Sequence, residues 1–340
     1  MSTVFVAVGV ISSLLVLHEL GHFLMAMLVG IEILEFGVGF GPELVSYRGK
    51  HTRYVLRLVP FGAYVKPLGM DPGEGALKES AYWAKPVGQR ALFVLGGPAV
   101  NMLLAVLVFS WAFGVFGRVE PTLQVNEVMQ GLPAERAGVQ PGDWVVAIDG
   151  LKLNAWDDLV SYVRARPGKA LTLTCKRGDQ VFELDMVAAV DPSSGVGIIG
   201  LVPQVQRVRF GLLGALIAGA KQTWDVTYAL FHGLLLTLAR KVKPDIVGPV
   251  GIGQIVAEAS RAGAESLAFT VGALSASLGF SNLLPIPAID GSRLLFLTLE
   301  WLLGRPIDPR KENMVHLVGF ILLIAAGAVI LVRDIERLGM

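Results

Sequence analysis

The chain has 340 residues, of which 53% are hydrophobic and 17% charged, and its mean hydropathy is +0.60. A soluble domain carries roughly 25% charged residues, so the composition points to a membrane protein. The net charge of +1 favours neither a nucleic-acid nor an acidic partner. Cys175, the sole cysteine, excludes a disulfide within the chain and a cysteine-built metal site.

In chain order, the first long apolar run is Val4–Val29; crossing the hydrocarbon of a bilayer takes roughly 20 such residues. It has no basic leader and no small-residue cleavage site before His18, so it is expected to be retained. The glycine-rich Phe36-Gly-Val-Gly-Phe-Gly41 follows, with no lysine or helix start at phosphate-loop spacing. It reads either as a hinge or as a functional loop. Glu43–Tyr47 and Thr52–Val59 flank Arg48-Gly49-Lys50 and predict a β-hairpin. Ala91–Gly117 is the second span.

A polar module, Pro121–Val190, comes next. Leu123–Val128, Trp144–Ile148, Leu171–Lys176 and Val181–Met186 alternate apolar and polar residues as strands do. Asn154 is the expected N-cap of a helix over Ala155–Arg164, and Cys175 is expected in the module's core. Phe210–Val242 is interrupted by Lys221, Gln222, Asp225 and Arg240, and reads as an amphipathic helix on the membrane surface or on the protein. The third span, Ala268–Leu303, contains Pro285 and Pro287 and cannot be one regular helix. Val315–Val332 is the fourth.

The expected architecture is a mainly α membrane protein of about four spans with a membrane-associated β-hairpin and one exported β-rich domain. Its parts are residues 1–117, 118–190, an amphipathic helical linker over 191–265, and 266–340. Basic residues gather between the first two spans (Arg48 to Arg90) and between the last two (Arg305, Arg310, Lys311). Basic loops stay cytoplasmic, so both termini and the Arg118–Gly263 region should lie outside the cytoplasm.

His18-Glu19-Leu20-Gly21-His22 is an H-E-x-x-H motif. On a helix its histidines share a face and can reach one zinc ion, with Glu19 beside them as general base. Nothing else in Val4–Val29 is charged, and a lone glutamate at the centre of such a helix costs roughly 3 kcal/mol. A catalytic zinc takes three protein ligands and leaves one position open. Glu43 and Asp290 are the candidates for the third. His22 and His18 lie about 12–18 Å from the cytoplasmic end of their helix, and Asp290 about 20 Å from the same side. Glu43 sits in a polar loop, so depth selects Asp290. Asn282 and Asn101 are polar residues in apolar spans, each able to hold a substrate carbonyl or to bond a neighbouring helix. His51, His232 and His316 are not at ligand spacing and receive no role. Glu300, near the cytoplasmic end, is expected to take an interfacial or helix-pairing role and not a catalytic one.

His18–His22, Gly97-Pro98-Ala-Val-Asn101 and Asn282…Pro285…Asp290-Gly291, in that order, resemble the signature of site-2 proteases. Gly131-Leu-Pro-Ala-Glu-Arg-Ala-Gly138, Gln140-Pro-Gly-Asp143 and Val146-Ala-Ile-Asp-Gly150 resemble a bacterial PDZ domain. Together they are similar to the regulator-of-sigma-E branch of that family, here with one PDZ module instead of the tandem pair of some members. The resemblance implies an intramembrane metalloprotease with one Zn²⁺ on His18, His22 and Asp290, and Glu19 as base. It implies that the element around Phe36–Val59, with Gly39, Phe40 and Gly41, re-enters the membrane and receives unwound substrate. It also implies a bacterial inner-membrane enzyme with the PDZ module on the extracytoplasmic side. Its partners would be single-span membrane proteins, such as anti-sigma factors or signal-peptide remnants, peptide C-termini at the PDZ module, and the bilayer. The competing readings are a PDZ scaffold with a structural metal site, and a metal or proton transporter. The glutamate between the two histidines favours hydrolysis.

Overall fold

The structure, a computed structural model, describes residues 2–70, 78–192, 194–241 and 247–337. Helix α1 (Ser2–Val29) contains no proline, and Glu19 is its one acidic residue. Strands β1 (Ile33–Arg48) and β2 (Arg53–Pro67) form a ribbon longer than the hairpin expected over 43–59. The ribbon folds on itself. Glu35 lies opposite both Lys66 and Arg53, and Val38 opposite both Ala63 and Leu56. Gly39 and Gly41, with φ of 87° and 88°, sit within β1 in a region open mainly to glycine. They bend a strand and do not form a separate loop.

Helix α2 (Val87–Phe116) crosses α1 at close range. Gly21 and Gly96 face each other, and a Cβ on either would collide with the carbonyl of the other.

A second compact unit spans Gly117–Phe210. It comprises β3 (Arg118–Val128), α3 (Pro133–Arg136), β4 (Trp144–Ile148), β5 (Leu151–Lys152), α4 (Trp156–Arg164), β6 (Ala170–Arg177), β7 (Gln180–Val187), β8 (Ala189–Val190), β9 (Gly197–Ile198) and β10 (Leu201–Val208). The main sheet has the order β10-β3-β4-β6-β7, with β5 on β4, while β8 and β9 pair separately. Alternate residues Leu171, Leu173 and Cys175 point into a core with Val125, Val145, Ile148 and Leu159. The cap of α4 is Ala155, not Asn154; the Asp158 carboxylate accepts the amides of both residues.

This unit closes at Phe210 and not at Val190. The reason is β10, which pairs with β3 from Leu201 opposite Val128 to Val208 opposite Arg118. The region expected as a helical linker over 191–265 therefore begins as sheet.

The chain then returns to the first unit with α5 (Leu212–Leu238), α6 (Pro249–Ala262), α7 (Ala264–Ser281), α8 (Asp290–Leu303) and α9 (Pro309–Arg337). Helix α5 buries Ala215, Ala218, Gly219 and Thr223, and Gly219 approaches Ser110 of α2 so closely that a Cβ would overlap it. Leu213, Ile217, Trp224 and Leu238 are exposed, and Lys221 pairs with Asp225 at 3.1 Å. The surface helix expected over 210–242 thus turns large apolar residues outward; Val242 itself lies outside the described residues.

Among the described residues, Phe5–Val29, Val87–Phe116 and Pro309–Asp334 are long and apolar enough to cross a membrane. The third expected span is divided. Helix α7 stops at Ser281 and α8 starts at Asp290, with both prolines between them.

Candidate metal centre

Helix α1 puts His18 and His22 one turn apart on one face, each only 6% exposed. Helix α8 presents Asp290 from its first position. The Oδ2 atom of Asp290 is 3.1 Å from His18 Nε2 and 3.3 Å from His22 Nε2, and the two Nε2 atoms are 3.2 Å apart. A tetrahedral zinc with bonds of about 2.0–2.1 Å spaces its donors about 3.3 Å apart. Two imidazole nitrogens and a carboxylate oxygen converging in a buried place are unfavourable without positive charge between them. Donor types and spacing therefore fit zinc.

The far nitrogen of each imidazole is also engaged. His22 Nδ1 donates to the Phe93 carbonyl at 2.9 Å, which leaves Nε2 with its lone pair. That carbonyl belongs to the turn of α2 just ahead of Pro98, which has no amide to give the helix. His18 Nδ1 lies 3.1 Å from the Asn101 amide. Asn101 is fully buried, and its Oδ1 has no partner among the described residues. Half a turn of the amide brings Oδ1 onto Nδ1–H of His18, the tautomer that frees Nε2 for a metal. A Cβ on Gly97 would overlap both imidazoles at their Nε2 atoms.

Glu19 is half-buried. Glu43 is bound by Arg53 at 2.5 and 2.7 Å and takes no part in the cluster. Asn282 closes the break between α7 and α8. Its backbone carbonyl accepts from Gly291 at 2.6 Å, and its side chain donates to Leu278 O at 3.0 Å. Phe40, between its two glycines, is 56% exposed on the ribbon.

The peptidase family M50 pattern matches residues 6–326. The chain belongs to that family. It is 31% identical, over 97% of its own length and 94% of the relative's, to an Agrobacterium fabrum protein with the provisional name zinc metalloprotease. It is 29% identical, over 96% of both chains, to the zinc metalloprotease RasP of Geobacillus kaustophilus. The PDZ domain of an SdrC-like protein from Listeria monocytogenes aligns with 24% of this chain and 87% of its own, at 22% identity and a TM-score of 0.23. This M50 peptidase is a membrane-embedded zinc metalloprotease of the site-2 type, and the family match sets aside the scaffold and transporter readings.

Sequence reasoning missed the Phe93 carbonyl and the close approach of Gly97 to both imidazoles. Only the Gly97-Pro98 pair marked that stretch of α2 as unusual.

Proposed function

We propose that His18, His22 and Asp290 hold one zinc ion and that Glu19 is the general base for peptide-bond hydrolysis inside the membrane. The observation that carries this reading is the convergence of two buried imidazoles and a half-buried carboxylate at 3.1–3.3 Å, with Glu19 next in the chain to His18. A zinc ion at such a site polarises a carbonyl and makes water more acidic. Glu19 takes the proton of the attacking water and returns it to the leaving amine nitrogen. Asn101 and the Phe93 carbonyl hold the two imidazoles in the tautomers that aim Nε2 at the metal.

The substrates are single-span membrane proteins, such as anti-sigma factors or signal-peptide remnants. A helical substrate must unwind before its carbonyls can be attacked, and a ribbon edge near Gly39, Phe40 and Gly41 offers replacement hydrogen bonds. Asn282, at the break that leads to Asp290, stands where a substrate carbonyl could be held. The Gly117–Phe210 unit acts as a PDZ domain that takes peptide C-termini along a sheet edge. The basic loops support a location on the extracytoplasmic side of a bacterial inner membrane.

The test uses purified full-length wild type and Glu19→Gln in detergent with a helix-destabilised single-span substrate. One zinc per chain in both, with chelator-sensitive cleavage by wild type alone, is the expected result. Cleavage by Glu19→Gln at the wild-type rate would overturn the assignment of the base.

A further inference from the structure

Asp290 stands at the end of an irregular segment. Pro285 and Pro287 have no amide to bond, and Ala288 holds φ at 75°, a left-handed value unfavourable for a residue with a Cβ. Such backbone persists only where its surroundings over-determine it. Helix α9 supplies them from two residues one turn apart. Gly319 meets Pro287 so closely that a Cβ would overlap its ring and backbone. His316, 8% exposed, accepts the Ala288 amide on Nδ1 at 3.2 Å. Ser292 Oγ lies 3.3 Å from the same nitrogen and also donates to Ile289 O at 2.8 Å. An accepting Nδ1 leaves the ring proton on Nε2, which faces Glu312 Oε1 at 3.7 Å. Glu312 is buried and is fixed in turn by Arg293 at 3.5 Å.

We infer that His316 is a positioning residue for Asp290. By accepting the Ala288 amide it sets the backbone two residues ahead of the carboxylate, and so the direction in which Oδ2 meets His18 and His22. His316 holds the flank before Asp290 through the Ala288 amide and lies against Ser292 on the flank after it. The inference rests on the proposed ligand role of Asp290.

Two substitutions separate the nitrogens of the ring. In His316→Asn the Oδ1 atom stands where Nδ1 was and can still accept. In His316→Gln the polar end moves toward the Nε2 position and nothing accepts the Ala288 amide. Zinc affinity of the purified full-length proteins is read by competition with a chromophoric chelator, and ligand geometry by the visible spectrum of the Co²⁺-substituted forms. His316→Gln should bind zinc about 10–100-fold more weakly, the usual effect of losing an outer partner, with an altered cobalt spectrum. His316→Asn should stay within a few-fold of wild type. Gly319→Ala, which displaces the same segment without removing a polar group, should shift both readouts in the same direction as Gln.

Equal losses in Asn and Gln, or wild-type affinity and spectrum in Gln, overturn the role. If His316→Gln does not fold, wild-type affinity in Gly319→Ala overturns it as well. Asp290→Ala is the reference. If it leaves zinc affinity unchanged, the ligand assignment itself falls. If it abolishes binding while His316→Gln does not weaken it, only the positioning role falls.

Discussion

The histidine side and the aspartate side of the proposed metal centre reach the same point by different routes. His18 and His22 ride on an unbroken helix, and what orients them is mainly the backbone of α2: the Phe93 carbonyl, the Cβ-free Gly97, and the Gly21–Gly96 crossing. Asp290 instead follows an irregular segment, held by the Asn282 carbonyl, by α9, and by a remote ion pair on its own helix. Regular helix delivers a ligand cheaply but demands close approach, so its weak points are glycines beside the site. An irregular segment is packed closely too, Pro287 against Gly319, but depends in addition on polar ties from residues far along the chain. Damage on the first side should therefore be local and severe, and on the second side distant and graded.

The severe case is Gly97→Ala. A Cβ there would overlap both imidazoles, and a helix held against α1 by glycines has little room to yield. Zinc affinity is expected to fall by about 100-fold or more and cleavage to vanish, while far-UV circular dichroism stays helical. Near-normal zinc content in this variant would show that α1 and α2 can separate without harm. That would remove the contrast with the aspartate side.

The graded case is the Arg90–Glu300 pair, which ties α2 to α8 by bonds of 3.0 and 2.5 Å. Both side chains are nearly buried, at 5% and 10% exposure. The guanidinium also bonds the Lys85 carbonyl at 3.0 Å and lies 5.2 Å from the Trp83 ring centre. Glu300→Ala leaves that cation buried and unpaired and should cost about 3–5 kcal/mol of stability in detergent. The double variant with Arg90→Met should recover most of it, because no charge is then stranded. Thermal unfolding of the three proteins checks this. A Glu300→Ala protein as stable as wild type would mean that α8 is held by other ties.

How far the site was legible in the sequence follows from the same contrast. The H-E-x-x-H spacing maps directly onto one helix face, and the two prolines announced the break before Asp290. Backbone acceptors have no sequence signature, so the Phe93 carbonyl was invisible. Arg90 and Glu300 are 210 positions apart, beyond any local pattern. His316 and Gly319 were invisible for a related reason, since a lone histidine and a lone glycine in an apolar run carry no spacing to read. In the β-rich unit the strands Trp144–Ile148 and Leu171–Lys176 were plain from alternation. The last strand was not: Leu201-Val-Pro-Gln-Val-Gln-Arg-Val208 includes a proline, which weakens a strand reading, and its partner β3 lies far back in the chain.

The smallest expected effect lies in that unit, away from the metal ligands. Asp143 has a side chain only 1% exposed, bonded by Arg177 at 2.7 and 2.8 Å and by the Gln140 amide at 2.8 Å. Burial raises its carboxyl, but these bonds outweigh burial and hold it below the ordinary value for aspartate. The stability it contributes is therefore present above the unfolded value of about 4 and is lost as pH falls through the lower folded value. Arg177 is 42% exposed, so solvent screening limits the contribution to about 1 kcal/mol at neutral pH. Cys175 reports on it, since it is the chain's sole cysteine, lies on β6 in the core, and has a thiol pushed up to about 12 by burial. Dithiodipyridine reacts with thiols in acid as well as at neutral pH, so labelling of Cys175 follows opening of the unit across the range. Asp143→Asn should label about fivefold faster than wild type at pH 7, and the gap should close toward pH 3, while zinc content stays the same. A gap that persists unchanged in acid would assign the loss to altered packing instead of the ion pair, and a fall in zinc content would couple this unit to the metal centre.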